Sequence, residues 1–139
     1  MQTKVEDLMT RKVFTLEAEK RLFIAQQIMD WAHIRHVPVV DGQRRVVGLV
    51  SHRDVLRASI SIVSSKVAKA EGQQHLTGIP VRDVMRAPVQ TVAPDLSVQE
   101  AAKLMRRGRI GCLPVVNAQQ ELIGIITESD LLKIVEELP

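Results

Sequence analysis

The sequence predicts a mixed α/β (α+β) fold: two tandem β-α-β-β-α repeats, each led by a short helix, packed through their sheets with pseudo-twofold symmetry. Two observations carry this. The chain repeats itself at an offset of 76 residues, so that Val5-Glu6-Asp7-Leu8-Met9 falls on Val81-Arg82-Asp83-Val84-Met85. The register continues without a gap: Val13 and Thr15 fall on Val89 and Thr91, Pro38-Val39-Val40 on Pro114-Val115-Val116, Gly48 on Gly124, and Asp54 on Asp130. Positions 5–57 hold 15 identities with their counterparts, where background composition gives about three. The second observation is size. A unit of about 55 residues has a small core, and stacking two such units buries a shared face.

Each element has its own local reason. In the second repeat Pro80 precedes Val81-Arg82-Asp83-Val84-Met85, a helix start with proline near its first turn. Val89 to Val92 alternates like a strand. Ser97-Val98-Gln99-Glu100 has capping-box spacing, and Val98, Ala101, Ala102, Leu104 and Met105 form the apolar stripe of the helix that follows. Gly108 is the expected end of that helix. Leu113–Val116 and Leu122–Ile126 are β-rich runs around the polar turn Asn117-Ala118-Gln119-Gln120. The last helix is expected from near Thr127, with Leu131, Leu132 and Val135 inward. The repeats divide the chain into 1–60, a connector at 61–80 read as helix extension plus loop, and 81–139.

Composition narrows the class of function. The 139 residues are 45% hydrophobic and 25% charged, with a net charge of +3. That excess suits anionic ligands but is too small to demand nucleic acid. No apolar run approaches the roughly 18 residues of a membrane span, and the first residues lack the apolar stretch of a signal peptide. The single cysteine, Cys112, builds neither an internal disulfide framework nor a zinc cluster. A cytoplasmic protein is expected. No P-loop, dinucleotide-binding glycine pattern or nucleophile elbow occurs, so an enzyme is not.

The most informative local pattern ends each repeat: Gly48-Leu49-Val50-Ser51-His52-Arg53-Asp54 and Gly124-Ile125-Ile126-Thr127-Glu128-Ser129-Asp130. A strand runs into a helix at the Ser or Thr, and an acid follows in the first turn. Such a carboxylate can accept hydrogen bonds from the adjacent hydroxyls of a ribose, and free N–H groups at the helix start suit a phosphate. The same spacing also serves as a simple helix cap. One Asp can do both.

A short helix ending in Met, an h-x-Thr strand, an h-Pro-Val-Val strand and Gly-h-h-[Ser/Thr]-x-x-Asp, all occurring twice, resemble a tandem pair of CBS domains (a Bateman module). The resemblance covers 5–57 and 81–135. It implies a stand-alone regulatory module that binds an adenosyl ligand, namely AMP, ADP, ATP or S-adenosylmethionine, between the repeats and changes its packing to control an effector protein. It implies a homodimer, with apolar helix faces near Leu8, Met9, Leu56, Val84, Met85 and Leu132 available for it. It gives Asp54 and Asp130 the ribose, and Ser51, Arg53 and Thr127 the phosphate. Thr15 and Thr91 would contact the nucleoside, and Arg35, His36, Val37, Cys112 and Leu113 would line base and phosphate ahead of Pro38 and Pro114. In related modules the sites assemble crosswise, setting Asp130 and Thr127 with Thr15, Arg35 and His36. The charge of Arg35 and His36 makes the Asp130 site the expected home of a phosphorylated ligand.

Other readings remain. Cys112 lies in an apolar run and also reads as a small buried hydrophobe. A ligand-free interaction scaffold would explain the duplication equally well. The cluster Lys103-Arg106-Arg107-Arg109 could touch RNA or DNA, although a chain with no Tyr and one Trp has little with which to stack bases.

Overall fold

The computed structural model of the chain describes residues 3–63 and 76–139. Most of the connector expected at 61–80 lies outside the described residues. In chain order the elements are α1 (Val5–Leu8), α2 (Leu22–Ala32), β1 (His36–Val40), β2 (Val46–Ser51), α3 (His52–Val63), a 3₁₀ turn (Val81–Asp83), α4 (Val98–Gly108), β3 (Cys112–Val116), β4 (Leu122–Thr127) and α5 (Glu128–Glu137). This is a mixed α/β protein with two antiparallel sheets, β1-β2 and β3-β4.

The elements sort into two compact units, Phe14–Val89 and Met1–Val13 with Gln90–Pro139. The short helix α1 is therefore built into the unit that holds β3 and β4. Backbone pairing shows why. Thr10 N donates to Ile125 O at 2.8 Å and Ile125 N donates back to Thr10 O at 2.9 Å. The other unit repeats the device: Arg86 N donates to Leu49 O at 2.9 Å and Leu49 N to Arg86 O at 3.1 Å. Thr10 and Arg86 are partners at the 76-residue offset, as are Ile125 and Leu49. Glycine is required beneath this crossing. A Cβ on Gly124 would lie 2.8 Å from Met9 Sδ and 3.0 Å from Thr10 O, and one on Gly48 would collide with Met85.

Each unit has its own core. In the first, Leu22, Ala25 and Met29 of α2 pack with Val37, Val39, Val50, Val55 and Val81. In the second, Ala101 and Met105 of α4 pack with Val5, Met9, Leu113, Val115 and Ile126. The duplication extends to an irregularity: both sheets shift register at the same place, between Val39 and Val40 and between Val115 and Val116.

The α4 start is capped as its sequence requires, with Ser97 Oγ accepting from Glu100 N at 3.1 Å. The Glu100 carboxylate pairs with Lys103 at 3.2 Å. Ser97→Ala is expected to lower stability by about 1 kcal/mol, read as a shift in the urea midpoint.

Two local expectations are corrected and one holds. The strand expected at Val89–Val92 is a single parallel bridge, Val92 to Val115, matched by Leu16 to Val39 in the other unit. In both units a turn follows closely on the bridge residue, at Ala18-Glu19 and at Pro94-Asp95, so no ladder grows. The helix α4 ends at Gly108, as expected, and the left-handed residue Arg109 (φ 52°) follows it. In α5, Leu131 packs on the core, but Leu132 and Val135 are 58% and 60% exposed. Asp130 is the cause. It is held inward, and at about 100° per residue Leu132 comes out on the far side of the helix.

Candidate functional site

The two acids lie in different units, and each is buried at the start of a helix. Asp54 is 6% exposed and Asp130 is 3% exposed. Neither sits on the outer surface.

Asp54 is the third residue of α3, directly after β2 ends at Ser51. Its Oδ2 accepts from Ser51 N at 3.0 Å and Ser51 Oγ at 2.8 Å, while Asp54 N donates to Ser51 Oγ at 3.1 Å. The acid and the hydroxyl therefore close the helix start between them, as a cap does. The other oxygen, Oδ1, faces two guanidinium groups, with Arg86 Nε at 3.7 Å and Arg57 Nη1 at 4.0 Å. Arg53, the second residue of α3, is exposed. His52 N donates to Arg35 O at 2.7 Å, and His36 is the register partner of Ser51. The fold thus brings Arg35, His36, Ser51 and Asp54 together in one unit.

Asp130 is built alike. Its Oδ2 accepts from Thr127 N at 2.9 Å and Thr127 Oγ1 at 3.2 Å. Its Oδ1 accepts from Thr10 Oγ1 at 3.1 Å and Lys133 Nζ at 3.0 Å. Glu128 N donates to Gly111 O at 3.2 Å, and Cys112 is the register partner of Thr127. Burial pushes the Cys112 thiol up to about 12, with the negative charge of Asp130 adding to the effect.

The remaining predicted residues fall into two groups. Val37, Leu113 and Cys112 are buried, so main-chain atoms are what they offer a ligand. Thr15 and Thr91 are half-buried and precede the bridge residues Leu16 and Val92. A separate surface cleft of about 460 Å³ runs along Met105, Arg106, Arg109, Glu128 and Leu131. No described helix is long and apolar enough to cross a membrane.

Sequence reasoning missed four side chains: Thr10, Arg57, Arg86 and Lys133, which flank the acids. The 76-residue offset holds a signal, since it pairs Thr10 with Arg86 and Arg57 with Lys133. A search for identities passes over both pairs, and the first also escapes a search for similar residues, because Thr and Arg share only the capacity to donate a hydrogen bond. Its members reach their acids only through folding.

Comparison with known proteins agrees with this architecture. A Vibrio cholerae protein, AcuB, has a solved structure that superposes with a TM-score of 0.83 at 38% identity, covering 98% of this chain and 93% of that one. The CBS domain pair of protein MJ0100, solved in complex with 5′-methylthioadenosine and S-adenosyl-L-methionine, shares the fold with a TM-score of 0.82 at 23% identity, covering 98% of each chain. The inosine-5′-monophosphate dehydrogenase of Methanocaldococcus jannaschii is 32% identical over 130 residues, which are 94% of this chain but 23% of that enzyme. The chain thus spans about a quarter of that relative's length. The model of the CBS domain matches residues 5–61 and again 81–137. With the fold, the repeat and both matches in agreement, the chain belongs to the CBS-domain family, as a tandem pair.

Proposed function

We propose that this chain is a regulatory module, not a catalyst, that binds an adenosyl compound through its ribose, with Asp54 and Asp130 as candidate acceptors. One observation carries the reading: the chain twice buries a carboxylate in the first turn of a helix and uses only one of its oxygens to close the cap. A cap alone does not require the acid to be buried. The adenosyl compounds bound by the MJ0100 pair point to the same ligand class. Charge-assisted hydrogen bonds from a ribose to such an oxygen contribute roughly 1.5–3 kcal/mol. Ser51, Thr127 and Arg53 then serve the phosphate side. Regulation follows if the ligand binds one conformation of the module better than another, because a partner that prefers that conformation is then favoured. Self-association into a homodimer belongs to this proposal, and light scattering measures it.

Differential scanning fluorimetry against adenosine, AMP, ADP, ATP and S-adenosylmethionine is the direct test. At about 100 times Kd, a ligand is expected to stabilise the fold by roughly 2.7 kcal/mol. The Asp54→Ala/Asp130→Ala double variant is expected to bind at least about tenfold more weakly. If no adenosyl compound shifts the melting temperature, the protein is instead a scaffold.

A further inference from the structure

We infer that the two acids are not equivalent: Asp54 is open to a ribose that carries an anionic group, whereas Asp130 is closed by Thr10 and Lys133. This rests on the adenosyl reading above and adds which acid is used and what the ligand must carry. Donor numbers decide it. A carboxylate offers about four lone-pair positions, two on each oxygen. Asp130 has all four engaged: Thr127 N and Thr127 Oγ1 on Oδ2, and Thr10 Oγ1 and Lys133 Nζ on Oδ1. The adjacent hydroxyls of a ribose can reach it only by displacing two donors that are already in place.

Asp54 differs at one oxygen. Its Oδ2 is filled in the same way by Ser51. Among the described residues, its Oδ1 has ion-pair partners in Arg86 and Arg57, with nitrogens at 3.7 and 4.0 Å. Both lie beyond the roughly 3.2 Å limit of an ordinary hydrogen bond. They balance the charge of the acid while leaving its outer lone pairs to a diol. Arg86 and Arg57 are themselves 51% and 69% exposed, and a guanidinium carries five N–H donors. Ribose acceptor and anion donors therefore stand side by side, as a nucleoside with a phosphate on its sugar requires. The repeat-related pair at Asp130 is a neutral hydroxyl and a lysine bonded to the acid at 3.0 Å, so the acid there has one cation beside it and no free lone pair for the diol. The phosphorylated ligand is thus assigned to Asp54, the opposite of what Arg35 and His36 suggested from sequence.

Isothermal titration of the full chain with AMP and with adenosine tests this. The wild-type chain is expected to take up one AMP, bound about tenfold or more tighter than adenosine. In Arg86→Thr/Arg57→Lys, which gives Asp54 the neighbours of Asp130 and so closes it, the affinity for AMP is expected to fall about tenfold or more. In Thr10→Val/Lys133→Met, which frees Oδ1 of Asp130 but supplies no donor for a phosphate, a second adenosine per chain is expected. The inference is overturned by two equal AMP sites in the wild type, by an unchanged AMP affinity in the arginine variant, or by a single adenosine in the Thr10 and Lys133 variant. Those outcomes leave the adenosyl reading standing. A wild-type chain that binds neither compound overturns both.

Discussion

At pH 8, Cys112 in the folded protein is expected to react with iodoacetamide about a thousandfold more slowly than the same thiol in the urea-unfolded chain. The thiolate is the reactive species, and burial moves the thiol from 9.0 to about 12. A rise of that size cuts the thiolate fraction at pH 8 by about a thousand. The residue is 2% exposed in β3, so access is restricted as well. The same burial couples stability to pH. A thiol whose pKa is raised on folding contributes its full share below pH 9, and the share is lost as pH rises from 9 towards 12, because the unfolded chain then loses the proton first. At about 1.4 kcal/mol for each pH step of one, roughly 1 kcal/mol is expected to be gone by pH 10. Urea melts at pH 8 and pH 10 measure the difference, and Cys112→Ala is expected to remove this part of it. Rapid alkylation of the native protein would contradict the buried placement.

Gly124→Val is expected to destabilise the fold by about 1–3 kcal/mol, because overpacking here has no easy outlet. A Cβ at this position meets Met9 Sδ at 2.8 Å and the main-chain oxygen of Thr10 at 3.0 Å. The thioether can rotate, but Thr10 is held by the hydrogen bonds that tie it to Ile125. Relief requires the segment after α1 to lift off β4. For Gly48→Val the three nearest atoms all belong to the side chain of Met85, which can rotate, so its cost is expected to be smaller. Thermal melts of the two variants measure the order. If Gly48→Val is the worse of the two, main-chain anchoring at Thr10 is not what limits relaxation.

The elements of the fold were legible where the signal is local. Ser97 ahead of an apolar stripe marks the start of α4 because cap and stripe lie within one stretch of chain. Gly-h-h-[Ser/Thr]-x-x-Asp marked both acids and their burden as caps, since Ser51 and Asp54 are three residues apart. The outward turn of Leu132 and Val135 was not legible. Four apolar residues in α5, Leu131, Leu132, Ile134 and Val135, compete to face the core, and the inward tether of Asp130, which settles the phase, includes Thr10 from 120 residues away.

Sequence alone determined the duplication, its 76-residue period and the two acids, because these follow from residue identities at constant spacing. Tertiary structure decided that α1 docks on the sheet of the later repeat, a pairing made by main-chain groups that are not written in any side chain. It also decided how the two acids differ, with Oδ1 of Asp130 hydrogen-bonded by Thr10 and Lys133 and Oδ1 of Asp54 facing two arginines at longer range. That depends on a few tenths of an ångström between a donor and an acceptor, and such a distance exists only once separate stretches of chain have been packed side by side.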